Sequence, residues 1–257
     1  PCGCAKEEDQ GGIERRMQYL KEARKKHPQI LLVDTGDHFK EPTRQGKLKA
    51  ETLLIATEKM KYDAVALGDR DLVYGSQFLK DQTQIPWITG NLVIDQFDPA
   101  RSRVKNFANG LKAGILAIAD PGVFYSHFGL HIEDPKQTVL KQVADMQKSE
   151  KPDIIVLLTH AKREIALAYL DLDEVDIVIN GHIASETDVI DMKPVLKNGK
   201  IFVQSSPRGQ KMGELKVEVN PENHKTFSHN LVKLDSSIKS DPEMVKLHES
   251  IMKKLKP

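Results

Sequence analysis

The sequence predicts an α/β fold, a sandwich of two sheets with helices outside, and three observations predict it. Helical periodicity alternates with short apolar runs over most of the chain, those runs are continuous rather than alternating, and from about residue 187 strand follows strand. Continuous Val, Ile and Leu runs of about 4 to 8 residues suit strands buried on both faces, and their alternation with helices marks crossover units. The elements follow in order. GIERRMQYLKEARKKH sets a helix over 12–27, followed by an apolar run at 30–34; the helical pattern of 44–61 precedes the run 64–67, and that of 75–83 precedes 87–93. A run at 113–119, a helix at 136–149, a run at 154–159, a helix at 162–171 and a run at 177–180 complete the alternating part. Residues 95–110 and 121–135 read as long loops. The turn signals KNGK, SPRG and NPEN then separate VIDMKPVLKNGK, IFVQSSPRGQ, GELKVEVNPENHKTF and SHNLVKLD, as an antiparallel meander requires. In the tail, Met244, Val245, Leu247, Ile251, Met252 and Leu255 recur at helical spacing. The expected organisation is therefore one domain over 1–235 and an amphipathic helix within 236–257.

The composition excludes several function classes. With 257 residues, 39 % apolar and 29 % charged, the chain can bury a substantial core. Its 38 basic and 37 acidic residues are interspersed, leaving +1, which gives no electrostatic case for nucleic acid. No apolar run approaches the roughly 18 residues of a membrane span. The two cysteines, Cys2 and Cys4, sit too close for an unstrained mutual disulfide and set no framework. The sequence opens at Pro1 without a signal peptide, so a processed or partial chain is expected.

Four apolar runs each end in a residue able to hold a hard or borderline cation. They are ILLVDTGD ending at Asp37, AVALGD at Asp69, IIVLLTH at His160 and IVINGH at His182. In an open α/β sheet, side chains just past the carboxyl ends of strands converge on one crevice, and four oxygen or nitrogen donors meeting there make a metal site. Singly, an Asp after a strand reads as a helix N-cap and a lone His as a loop or core residue. Unrelated caps, however, have no reason to select two carboxylates and two imidazoles at four strand ends.

The ordered set GGIERR (Gly11 to Arg16), DTGD (Asp34 to Asp37), ALGDRD (Ala66 to Asp71), LLTH (Leu157 to His160), NGH (Asn180 to His182) and QSSPRGQKMGELKVEV (Gln204 to Val219) resembles the calcineurin-like metallophosphoesterases. Within that family it is most similar to the N-terminal catalytic domain of bacterial periplasmic 5′-nucleotidases. The resemblance implies a four-layer αββα sandwich, an extracytoplasmic location, and two ions bridged by one carboxylate that activate water against a phosphoester. On the matching positions Asp37 is the bridging carboxylate. Asp69, where the family has asparagine, joins His160 and His182 around the second ion.

The departures shape the expected chemistry. The family's opening Asp-x-His is missing, and the chain begins Pro1-Cys2-Gly3-Cys4; either the first strand is absent or Cys2 and Cys4 bring thiolates to the first metal position. Thiolates there would favour zinc or iron over magnesium or manganese. For the chain as a whole the expected cofactor is a divalent zinc, manganese or iron ion, one or two per chain. Cys2 or Cys4 could instead join a protein partner. The asparagine-histidine-glutamate segment of the family reads Asp69-Arg70-Asp71, which assigns Arg70 and Asp71 to catalysis; arginine stabilises phosphoryl charge but cannot act as an acid. Ala184 replaces the second histidine of the last motif. Asn91, in TGNLV, and Arg208, in SSPRGQ, are candidates for contacting a small anionic substrate; His38 is a candidate for supporting Asp37, and Trp87 for packing between strand and helix. The function expected is a metal-dependent phosphoesterase acting on a phosphomonoester or related oxyanion ester. The alternative is a catalytically degenerate relative that serves as a metal-binding or structural component. Related thiosulfohydrolases extend the scaffold beyond phosphate. Nucleotidases of the family read the base with a separate C-terminal domain, and this sequence ends soon after the meander, so a nucleotide is expected less strongly than the family name suggests.

Overall fold

A computed structural model describes residues 10–40, 42–81, 84–124, 129–183 and 193–255. Two sheets stack at its centre. The first holds β1 (Val33–Asp34), β2 (Ala64–Ala66) and β3 (Trp87–Ile88), all parallel, in that order. The second has six strands in the order β10 (Val195–Lys197), β11 (Lys200–Gln204), β9 (Ile177–Asn180), β8 (Ile154–His160), β6 (Lys112–Ala119) and β5 (Ser102–Asn106), parallel from β11 to β6 and antiparallel at both edges. A two-stranded ribbon, β12 (Lys211–Val219) with β13 (Lys225–Lys233), and a short pair, β4 (Leu92–Ile94) with β7 (Leu130–Ile132), complete the sheets.

Strand side chains alternate between faces, and that alternation builds three apolar layers. On β6 and β8, Ile115, Ala117, Val156 and Leu158 face inward to meet Ala64, Ala66 and Ile88 of the first sheet, with Leu215, Val217 and Phe227 of the ribbon alongside. Their neighbours Leu116, Ile118, Ile155 and Leu157 face outward and pack under α4 (Pro135–Ser149) and α5 (Arg163–Leu167) through Val139, Val143, Met146 and Ala166. On the far side, Val65 and Trp87 pack against Met17 and Leu20 of α1 (Ile13–Lys26), Leu54 and Met60 of α2 (Arg44–Met60), Phe78 and Leu79 of α3 (Ser76–Lys80), and Met244 of α6 (Pro242–Leu255). Three cores between four layers give the αββα sandwich. Caps fix where the longer helices start: the Thr43 hydroxyl accepts from the Gly46 N–H at 2.9 Å, and the Asp134 carboxylate accepts from Gln137 at 2.7 Å just before Pro135.

The C-terminal helix expected within 236–257 lies against α1 and α2. Met244 is fully buried, and Lys21 with Asp241 (2.5 Å) and Lys59 with Glu243 (2.6 Å) pair across the contact. Three sequence expectations are corrected. The run 87–93 is two strands in different sheets, broken where the Gly90 N–H turns to donate to the Ala117 carbonyl. The expected loops 95–110 and 121–135 contain β5, an edge strand with little apolar character, and β7, which is only three residues long. The expected meander is interrupted: β11 pairs in parallel with β9 in the large sheet, and only β12 and β13 form a long hairpin.

Candidate metal centre

The carboxyl ends of β1, β2, β8 and β9 point to one crevice, as the parallel register of each sheet requires. After β1 the backbone turns through Gly36 (φ 88°) and Asp37 (φ 65°), a conformation that presents the Asp37 side chain to the crevice. Asp69 follows β2 after Gly68 and opens a short 3₁₀ turn over Asp69–Leu72. His160 is the last residue of β8, and His182 follows β9 after Gly181. One ligand atom from each of Asp37, Asp69, His160 and His182 lies within 4.8 Å of every other.

Two residues form the closest pair in the cluster. The His160 Nε2 is 2.7 Å from Asp69 Oδ1 and 3.5 Å from Asp37 Oδ1, and His182 Nδ1 lies 3.2 Å from His160 Nε2 and 3.7 Å from Asp69 Oδ1. His160 is almost wholly buried, and its Nδ1 lies 3.4 Å from the Thr35 carbonyl. A carbonyl only accepts, so Nδ1 carries a proton toward Thr35, and with the ring protonated on both nitrogens Nε2 donates to Asp69. Burial pushes Asp37 above the usual carboxylate range, and the nearby Asp71 and Asp69 charges add to it against the pull of His160. Burial alone would raise Asp69 too, but hydrogen bonds from His160 and His182 outweigh it and hold Asp69 well below that range. Burial likewise lowers His160, and its bond to Asp69 overrides that and raises it. Two carboxylates and two imidazoles are a fitting donor set for a borderline divalent ion. The space between the loops is kept open by Gly68, where a Cβ would overlap Asp37 Oδ1 and come within 2.9 Å of His160 Cε1.

No family model matches the chain. The chain is 26 % identical to the 5′-nucleotidase of Vibrio cholerae over 81 % of its own length and 48 % of that protein, and 26 % identical to the 5′-nucleotidase of Bos taurus over 91 % and 46 %. It spans about half the length of the curated relatives it matches. Its fold superposes with a TM-score of 0.81 on the sulfate thiohydrolase SoxB of Thermus thermophilus, solved with glycerol, at 15 % identity, covering 96 % of this chain and 47 % of that one. A 5′-nucleotidase precursor from the same species superposes equally, at 0.81 and 18 % identity, covering 96 % and 54 %. The chain is thus similar in sequence to 5′-nucleotidases and shares its fold with these solved structures.

The structure separates the expected site residues that it describes into three groups. Asp37, Asp69, His160 and His182 meet. Arg70 and Arg208 are exposed, Arg70 beside the cluster, where its backbone N–H donates to Asp37 Oδ1 at 3.2 Å. Arg208 lies on the turn after Ser205, whose hydroxyl is 2.9 Å from that of Thr35. Two expected site residues lie inside the protein. Asp71, expected in catalysis, is fully buried and bonded to backbone N–H groups. Asn91, expected at the substrate, is also fully buried; its amide donates to the Ala119 (2.8 Å) and Glu133 (3.1 Å) carbonyls and accepts from the Ala119 N–H (2.8 Å). It ties β4 to the end of β6. Cys2, Cys4 and Ala184 lie outside the described residues.

Two functional supports escaped sequence reasoning. Asn180 donates to the Ala161 carbonyl and to the Gln204 side chain, each at 3.0 Å, and Gln204 donates to the His182 carbonyl at 3.1 Å. Together they anchor the backbone that carries His182. The signal was present, since a buried polar residue closing each of two adjacent apolar strands, IVIN and KIFVQ, needs partners at the strand ends.

Proposed function

We propose that the chain is a metal-dependent phosphoesterase acting on a small phosphomonoester or related oxyanion ester, its ion held by Asp37, Asp69, His160 and His182. The observation that carries this reading is the convergence of those four side chains from four strand ends. A divalent ion there supplies Lewis acidity, drawing charge from a phosphoryl oxygen and making a water a better nucleophile at neutral pH. The chain's own residues do the rest. Asp69 and the two imidazoles keep the crevice ready for positive charge, Thr35 orients His160, and the exposed Arg70, whose backbone N–H is bonded to Asp37, is the candidate to orient the anionic group without giving up a proton. Arg208 is the second candidate for that anion. Similarity to 5′-nucleotidases supports phosphoester chemistry and an extracytoplasmic setting, and the nature of the donors supports zinc, manganese or iron, one or two per chain. No described helix is long and apolar enough to cross a membrane.

The test is hydrolysis of a chromogenic phosphate ester by the protein loaded in turn with zinc, manganese, iron and magnesium. Turnover is expected with at least one of the first three, and Asp69→Ala should lower it by at least about a hundredfold, as loss of a direct metal ligand would. An absence of turnover with every ion refutes the enzyme reading.

A further inference from the structure

We propose that Asp71 is the positioning residue of the metal centre: by accepting the backbone N–H groups of Asp37, His38 and Gly68 it fixes the separation of the two loops that carry Asp37 and Asp69. The inference rests on the metal-centre reading and goes beyond it, since Asp71 is fully buried and is not one of the four clustered donors. Its Oδ2 accepts from the Asp37 N–H at 2.9 Å and from the Gly68 N–H at 2.8 Å. Its Oδ1 accepts from the His38 N–H at 2.8 Å and lies 3.2 Å from His38 Nδ1. A carboxylate offers about four lone-pair positions, and here all are taken by donors inside the protein. Asp71 has no exposed surface, so water does not compete for them.

The donors sit on two separate segments. Asp37 and His38 belong to the turn after β1, and Gly68 immediately precedes Asp69 after β2. The turn is costly, because Asp37 holds φ at 65°, which disfavours a side chain by about 1 to 2 kcal/mol. A carboxylate collecting the inward N–H groups of that turn is what holds it. The link also runs the other way, since Asp37 Oδ1 accepts from the Arg70 N–H at 3.2 Å. Each loop therefore carries an acceptor for the other's backbone. His38 is the fourth partner and is itself held from behind: its Nε2 lies 3.5 Å from Asp34, which stands 3.9 Å from Arg16.

Asp71→Asn separates positioning from bulk packing because it keeps size and removes one acceptor. In either orientation its NH₂ faces at least one backbone N–H. Binding of Co²⁺ should weaken about ten- to a hundredfold, the usual effect of losing a support behind metal ligands, with an altered visible ligand-field spectrum. His38→Gln keeps all three backbone bonds and should change Co²⁺ affinity less than about threefold by the same reasoning. In the metal-free wild type, the Asp37, His38 and Gly68 amides should be protected from hydrogen exchange on the order of a hundredfold or more over an open loop. A folded Asp71→Asn protein with unchanged Co²⁺ affinity and spectrum overturns the proposal. Should that variant not fold, the wild-type exchange decides, and rapid exchange of the three amides overturns it. Failure of the wild type to bind Co²⁺ counts against the metal-centre reading, while the amide exchange still tests the clamp.

Discussion

Gly68 shows how little room separates a working donor set from a blocked one. A Cβ at this position would overlap the Asp37 carboxylate and fall 2.7 Å from the Asp37 backbone nitrogen. Gly68→Ala should therefore push the two loops apart, cost about 1 to 3 kcal/mol of stability through overpacking, and abolish metal binding while the fold persists. Calorimetric titration with zinc alongside thermal denaturation checks both halves; zinc binding of wild-type strength would contradict the account. At this scale the sequence was partly legible. Asp37, Asp69, His160 and His182 could be read because each closes an apolar run, and strand ends in such folds share an edge. The burial of Asp71 and Asn91 was not legible, because a motif gives a residue its neighbours along the chain, not the direction of its side chain. Both turn inward to backbone groups that only the tertiary structure brings near.

Elements deliver these residues, and their joints carry the next predictions. Asn91 binds the N–H and carbonyl of Ala119 at the end of β6 and the Glu133 carbonyl after β7. Asn91→Ala strands buried backbone groups and should cost about 2 to 4 kcal/mol, summed from an ordinary penalty of about 1 to 3 kcal/mol each and partly relieved by relaxation. Chemical denaturation measures it, and zinc affinity at full folding should be unchanged. Tyr169, in the turn after α5, packs under the large sheet; burial, with help from Asp134 and Asp120, pushes its phenol up to about 12. A raised folded-state pKa means its contribution to stability is complete below the unfolded value of about 10 and is lost as pH climbs toward 12. Tyr169→Phe should flatten the alkaline side of the stability profile between those values, and an unchanged slope would disprove the assignment. The long buried strands and helices were readable because burial on both faces leaves an unbroken apolar signature, as in Ile154–His160. Strands β5 and β7 were not, since an edge strand half open to water, such as SRVKN, carries no such signature and the three residues of LHI are too few to show one. Nor could sequence show that β11 joins the large sheet, because KNGK and SPRG mark turns without saying which partner follows.

At the scale of the whole molecule, three apolar layers hold two sheets so that strand ends from both meet at one edge. Asp37 and Asp69 come from the small sheet, His160 and His182 from the large one. The centre thus exists only while the sheets are stacked, and ion binding should stabilise the domain as a unit by mass action. Saturating zinc should raise the melting temperature of the wild type and leave that of Asp69→Ala unmoved. The architecture was anticipated from alternating periodicity and from motifs occurring in order, and the fold superposes on both solved structures from Thermus thermophilus at a TM-score of 0.81. The most direct test of the central claim is an anomalous-scattering map from a crystal of the zinc-loaded protein, recorded at the zinc edge. The account predicts a peak bonded by Asp37, Asp69, His160 and His182; an empty crevice, or zinc bound only elsewhere, would contradict it.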